Sequence, residues 1–228
     1  MKMYGWFLEV DRALGKQKCA LDMYYGMNDG NVHEAMKNGQ DFIYLDHAYF
    51  KRSWNDGNFR LIRNGIHLTE VVPRPPDRFR QWGIDIKPWR RNGRNIAILE
   101  PSWRIAQKFG IDSWVDSIQF LLRGITSRKV LLRRKSDGYF VPWLEQNDIW
   151  ACVSLCSVAA VEAAMLGYPV FTTKHCPAWP VSAGELKSID NPEYKDREPW
   201  LASLSYATWN VEELPKMKLK DWRYECAS

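Results

Sequence analysis

The chain is short of the features that announce common chemistries. Its five cysteines (Cys19, Cys152, Cys156, Cys176, Cys226) are odd in number and contain no C-x-x-C pair, which argues against a disulfide scaffold and a zinc site. The four histidines (His33, His47, His67, His175) are scattered and make no H-E-x-x-H pattern. Neither G-x-G-x-x-G nor G-x-x-x-x-G-K-[ST] occurs, so a dinucleotide fingerprint and a P-loop are both excluded. A G-x-S-x-G elbow is missing too, as is the Asp-x-Asp that carries a metal-bound sugar diphosphate. No apolar run reaches membrane-spanning length, no charged-then-apolar leader is visible, and there is no Asn-x-Ser/Thr sequon. The expected setting is a reducing cytoplasm, without a membrane partner. Internal repeats and low-complexity tracts are absent.

What is present is a globular composition with one unusual excess. The 228 residues are 46% hydrophobic and 26% charged, enough to bury one large core or two small ones. The net charge of +5 is a mild bias toward a polyanion or a phosphorylated ligand. Twelve tryptophans are many. Trp stacks well on sugar and base rings, although most such residues serve in cores and at boundaries.

The most informative stretch is 149–173. An apolar run at 150–153 suits a strand buried on both faces. Ser154 and Ser157 then offer side-chain caps for an Ala-rich helix that carries one acid, Glu162. Leu166-Gly167 closes the helix, and Pro169-Val-Phe-Thr starts the next strand. A helix N-terminus just beyond a strand's carboxyl end presents free N–H groups and partial positive charge, which suits a phosphate. An ordinary strand–helix–strand unit without a ligand fits the same spacing.

Around that stretch the chain falls into two segments, 1–90 and 91–228. In the first, 41–46 reads as a strand ending at Asp46-His47, and 33–37 as a helix leading into it. Residues 59–62 and 66–72 look like further strands, with Asn55-Asp-Gly57 and Asn64-Gly65 as turns. Residues 1–30 resist assignment, although 4–10 could open with a strand or a helix. Prolines at 73, 75, 76 and 88 argue against regular structure across 73–94, the expected linker. It holds seven cations (Arg74, Arg78, Arg80, Lys87, Arg90, Arg91, Arg94) interleaved with Trp82 and Trp89. Cations and rings in alternation suit a nucleic-acid strand. A solvated linker whose tryptophans pack against the two segments fits equally.

The second segment alternates strands and helices. Strands are expected at 95–99, 129–132, 150–153 and 170–173, with helices from Ser102 and over 112–123. That alternation predicts an α/β fold with a mostly parallel sheet, which binds ligands at the carboxyl ends of its strands. Ser102, then Arg133, Arg134 and Lys135, then Ser154 and Ser157 all fall at those ends. Further helical patterns lie at 182–188, 199–209 and 218–224.

Ser157-Val-Ala-Ala-Val-Glu162-Ala163, followed by Leu166-Gly-Tyr-Pro-Val170, resembles the C-terminal nucleotide-sugar motif of GT-B-fold glycosyltransferases and the related UDP-sugar 2-epimerases. The resemblance spans roughly residues 95–210. It implies two Rossmann-like lobes, the first reduced and on the acceptor side, with C-terminal helices crossing back to it. In that family a Ser at the helix start holds the diphosphate, an acid five positions on binds the ribose hydroxyls, and a basic residue neutralises the diphosphate. By resemblance these are Ser157, Glu162 and Arg133. The family's usual Gly-Gly after the Ser is Val158-Ala159 here.

The implied activity is metal-independent transfer of a sugar from a nucleotide-sugar such as a UDP-sugar, with no resident cofactor. Size and charge bring to mind small phage-encoded members that modify bases in DNA, which would place the protein in the host cytoplasm. Asp46 and His47 are the candidate bases for an inverting reaction, and a structural cap is the plainer role for them. Arg63, His67, Trp89, Arg90, Arg91 and Arg94 are the candidate acceptor contacts. A nucleotide-binding module without catalysis and a basic nucleic-acid-binding protein are the rival classes.

Overall fold

A computed structural model describes residues 21–28, 30–51, 57–108 and 110–216. The stretches 4–10 and 218–224, and most of the turn at Asn55-Asp56, lie outside the described residues. The fold is α/β, with one mixed sheet and one parallel sheet, each of four strands.

The mixed sheet contains β1 (Asp22–Tyr25), β2 (Phe42–His47), β3 (Asn58–Arg63) and β8 (Thr208–Asn210), in the order β1-β2-β3-β8. β1 runs parallel to β2, while β3 is antiparallel to both β2 and β8. Helix α1 (Gly30–Lys37) supplies the crossover between the two parallel strands. Phe42, Ile43, Tyr44 and Leu45 are buried in succession, as in a strand covered on both faces. Asn64 closes the end of the β2–β3 pair. Its φ of 57° is one Asn tolerates, and its side-chain oxygen accepts the Phe42 N–H at 2.9 Å.

The parallel sheet contains β4 (Asn95–Leu99), β5 (Lys129–Arg133), β6 (Ile149–Ser154) and β7 (Val170–Thr172), in the order β5-β4-β6-β7. These are the four strands expected from the apolar runs, and all their pairings are parallel. Helices α3 (Trp103–Lys108) and α4 (Trp114–Ile125) connect β4 to β5, α5 (Phe140–Gln146) connects β5 to β6, and α6 (Ala159–Met165) connects β6 to β7. Ile96, Ile98, Val153 and Phe171 form one core with Leu122 of α4, and Trp114, Val115 and Ile118 pack against it. By alternation, Leu99, Arg133, Ser154 and Thr172 belong to the opposite face.

The chain divides into two compact units at places other than the expected boundary after residue 90. One unit takes Met1–Leu68, Pro73–Trp82 and Leu201–Ser228, and the other takes Thr69–Val72 and Gly83–Trp200. Part of the Pro-rich stretch forms helix α2 (Asp77–Gln81), with Pro76 as its N-cap, so the prolines start regular structure there rather than exclude it. The chain then returns to the first unit through α7 (Glu198–Ala207) and β8.

Arg78 of α2 fastens that return. It donates to the Ser205 and Thr208 carbonyls, pairs with Glu213 at 2.9 Å, and lies 4.5 Å from the Trp209 ring centroid. A crossing back was expected as helices; the element that joins the mixed sheet is a strand. Two further expectations fail. Residues 66–72 form no strand, and 182–188 is helical only in the 3₁₀ turn Leu186–Ser188.

Candidate functional site

The strand order of the parallel sheet locates its ligand edge. From β4 the chain moves outward to β5, then returns past β4 to reach β6. The connections leaving β4 and β6 therefore diverge, and crevices of this kind at the carboxyl ends of parallel strands bind ligands. Leu99 pairs with both Arg133 and Ser154, and Ser154 pairs with Thr172. One row across the carboxyl edge thus reads Arg133, Leu99, Ser154, Thr172.

Ser102, Arg133, Arg134, Lys135, Ser154 and Ser157 all end or follow neighbouring strands on this edge. Ser102 starts α3, its hydroxyl oxygen accepting the Ile105 N–H at 3.4 Å and its carbonyl the Ala106 N–H. Arg134 and Lys135 are exposed in the turn after β5, where Asp137 accepts the Arg134 N–H at 2.7 Å. Arg134 lies 3.9 Å from Glu100, the residue after β4. Glu162 is half-buried on α6.

Arg133 is the unusual member. It is only 8% exposed, and no carboxylate among the described residues pairs with it. One terminal nitrogen donates to the Gly138 carbonyl at 2.6 Å, while Nε is buried with no partner. Its guanidinium lies 5.8 and 5.7 Å from the ring centroids of Phe140 and Trp143 on α5. Rings stabilise a cation weakly compared with a carboxylate, and a buried charge without an ionic partner is costly. The sequence marked Arg133 by position; α5, which builds its pocket, was missed because Pro142 interrupts a short apolar run.

The helix start after β6 differs from the expected cradle of free N–H groups. Ser154 Oγ accepts the Ser157 N–H at 3.0 Å, and Ser157 Oγ accepts the Ala159 N–H at 3.2 Å. The Ala160 and Val161 N–H groups are held by the Ser157 and Val158 carbonyls. The N-cap position of the seven-residue helix is Val158 rather than either serine. Ser157 holds the first helical N–H, Ser154 holds the Ser157 N–H ahead of the helix, and the amides of 157 and 159–161 are all used. What remains for a ligand there is hydroxyl donors.

A cavity of about 590 Å³ opens beside β6 and β7. Val153, Phe171, Trp114 and Trp179 give it apolar and aromatic walls. Ser154, Thr172, Thr173 and Ser182 supply hydroxyls, and Glu185, Glu193 and Lys195 supply charge. The Thr172 hydroxyl is buried and lies against the Cys176 thiol. Sequence reasoning missed most of this site because its walls come from α4 and the irregular segment 173–195, which carry no motif.

The other named residues sit elsewhere. Asp46, at the end of β2, pairs with Arg60 at 2.8 Å and accepts hydrogen bonds from the Tyr44 hydroxyl at 2.8 Å and the His47 N–H at 2.7 Å. Burial works to raise its pKa, but the Arg60 charge and these donors prevail and hold it below the usual carboxylate range. Arg60 is buried, and it also donates to the Ile66 and His47 carbonyls. Arg63 pairs with Asp41 at 2.9 Å, and His67 is buried with its ring 6.2 Å from that of Tyr49.

The basic segment is packed down on its own unit. Lys87 and Arg90 donate backbone N–H groups to the Met165 and Gly167 carbonyls, fastening the segment over the end of α6. Gly167, at φ 87°, lies so close to the Pro88 carbonyl that a Cβ would collide with it. Arg90 stacks on Tyr168 at 4.6 Å and Arg91 on Tyr194 at 4.4 Å, while Arg94 pairs with Asp148 at 2.6 Å. Trp89 donates its indole N–H to the Lys195 carbonyl and takes Arg197 over its ring at 3.9 Å.

Cys152, Cys156 and Cys176 are buried and form no disulfide among the described residues. Burial pushes Cys176 up to about 12 and Cys152 higher, so neither is a nucleophile near neutral pH. Among the described residues, no three His, Cys, Asp or Glu side chains gather as metal ligands, and no helix is long and apolar enough to cross a membrane. No protein-family model matches the chain, and no curated protein matches it.

Proposed function

We propose that the protein binds the diphosphate of a nucleotide-sugar at the carboxyl edge of its parallel sheet and transfers the sugar in GT-B fashion. The observation that carries this reading is Arg133, a buried guanidinium at the ligand edge with no carboxylate to balance it among the described residues. An anion is the partner such a group lacks. Arg134 and Lys135, exposed in the next two positions, add charge where a leaving diphosphate would collect it. Ser154 and Ser157 keep hydroxyl donors on the same edge, and Glu162 is the candidate partner for ribose hydroxyls.

In this reading the bond between the anomeric carbon and the diphosphate oxygen breaks, and a bond to the acceptor oxygen forms. The nucleoside diphosphate leaves with the electron pair, and the proton lost by the acceptor passes to the departing diphosphate oxygen or to solvent. Asp46 is not assigned as the base. A carboxylate held below its usual pKa by Arg60 is a poor proton acceptor.

Thermal-shift titration with nucleoside diphosphates and their sugars tests the binding step. Stabilisation by UDP or another nucleoside diphosphate, lost in Arg133→Met, is the expected result. No stabilisation by any of them would sink the reading. Release of the nucleoside diphosphate on adding acceptor separates a transferase from a module that only binds.

A further inference from the structure

We infer that the cavity beside β6 and β7 is a carbohydrate subsite, taking an uncharged pyranose ring on Trp114 and Trp179. This rests on the nucleotide-sugar reading only for the identity of the neighbouring ligand, because the cavity has its own chemistry. Its walls combine three groups that suit a sugar and suit a polyanion poorly.

The first group is aromatic. Trp114 and Trp179 both line the cavity, and neither indole N–H is hydrogen-bonded to a described residue. Trp179 is 44% exposed although it is a large apolar ring. An indole offers a broad apolar face for the C–H groups of a pyranose and an N–H for a ring hydroxyl.

The second group is carboxylate. Glu185 is paired with Lys187 at 2.7 Å, and Glu193 is matched in number by Lys195, so the cavity carries no net positive charge in a chain whose net charge is +5. That balance disfavours phosphates and nucleic acid within the cavity. Carboxylate oxygens accept hydrogen bonds from paired hydroxyls, and Glu193 is exposed and makes no ion pair among the described residues.

The third is the floor. The Thr172 hydroxyl is buried on the cavity wall beside the Cys176 thiol, a weak hydrogen-bond partner, which leaves capacity for a sugar hydroxyl. A volume of about 590 Å³ is within the range of small-molecule sites and holds more than one sugar ring. The cavity is separate from Arg133. Along the carboxyl edge, Ser154 on β6 and Thr172 on β7 lie two and three strands from Arg133 on β5.

A pyranose could arrive as the sugar of the donor or as a saccharide acceptor, and the two sources separate experimentally. Saturation-transfer-difference NMR would be run on the full chain with glucose, galactose, mannose, N-acetylglucosamine and their short oligomers. The affinities of UDP, UDP-glucose and UDP-N-acetylglucosamine would be measured in parallel by calorimetry, for wild type, Trp179→Ala, Glu193→Gln and Arg133→Met. Both cavity side chains substituted are solvent-accessible, and circular dichroism confirms folding of each variant.

If the subsite holds a saccharide acceptor, free sugars bind and Trp179→Ala and Glu193→Gln weaken them at least 10-fold, while Arg133→Met does not. If it holds the donor's sugar, the two variants remove the affinity advantage of a UDP-sugar over UDP. Two results would overturn the inference: neither variant changes either quantity, or UDP alone displaces a bound saccharide and loses affinity in Trp179→Ala. Failure of UDP and all UDP-sugars to bind, with saccharide binding intact, would instead remove the nucleotide reading and leave the subsite standing.

Discussion

Arg60 lies within β3 of one unit and Arg133 ends β5 of the other; both are buried, and their surroundings are opposite. Arg60 in the mixed sheet has Asp46 at 2.8 Å, carbonyls on its other nitrogens, and the rings of Tyr44 and Tyr49 at 5.5 Å each. Arg133 in the parallel sheet has one carbonyl, two more distant rings and an unpartnered Nε. Both guanidiniums cost free energy to bury. Arg60 recovers it within the fold, so its role is structural. Arg133 does so only in part among the described residues, and that contrast is what the proposed anion site rests on.

The largest effect should come from breaking the complete site. Arg60→Met leaves Asp46 partly buried without its counter-charge, and a loss of about 3–5 kcal/mol in urea unfolding is expected. The same pair makes stability pH-dependent. The pKa of Asp46 is depressed in the folded state, so its contribution is present above the ordinary carboxylate value near 4 and is lost as pH falls through the lower folded value. Urea midpoints taken from about pH 6 downward should fall more steeply in wild type than in Asp46→Asn. Equal slopes would show that the pair adds no acid sensitivity.

Arg133→Met should behave in the reverse sense. Removing an unbalanced charge is expected to leave stability within about 1 kcal/mol or raise it. Affinity for a nucleoside diphosphate should meanwhile drop by about 1.5–3 kcal/mol, the worth of a hydrogen bond to a charged group. Glu162→Ala should lower it by a similar amount if the acid meets the ribose. A large stability loss in Arg133→Met with unchanged nucleotide affinity would make the two arginines alike and end the contrast.

The smallest effect is expected in the basic segment. Replacing Arg90, Arg91 and Arg94 together removes two ring contacts and one exposed ion pair, at a cost of about 1–2 kcal/mol. Single-stranded DNA binding at low salt, followed by fluorescence anisotropy, should keep its salt slope. A slope that flattens with the triple replacement would make nucleic acid the partner of segment 74–94 after all.

Local pattern carried the parallel unit a long way. Its four strands and the helices over 103–108, 114–125 and 159–165 were legible because each depends on neighbours within a few residues: apolar runs, short polar turns, a glycine at φ 87°. The edge that gathers Arg133 and Ser154 followed from parallel topology alone. The mixed sheet was less legible. β1 and β8 are four and three residues long, and β8 becomes a strand only by pairing with β3 about 150 residues earlier.

The sequence by itself determined the α/β class, the order of the parallel strands along the chain and the residues that end them. Tertiary structure alone decided which of those residues are spent. It paired Asp46 with Arg60, turned the amides of 157 and 159–161 inward onto neighbouring hydroxyls and carbonyls, laid the basic segment 87–94 over the end of α6, and left Arg133 without a carboxylate among the described residues. The physical reason is that a charge or an N–H group is satisfied by whatever the fold brings within about 3 Å. Spacing along the chain does not reveal that distance between residues as far apart as Trp89 and Lys195, whose carbonyl accepts the indole N–H at 2.9 Å.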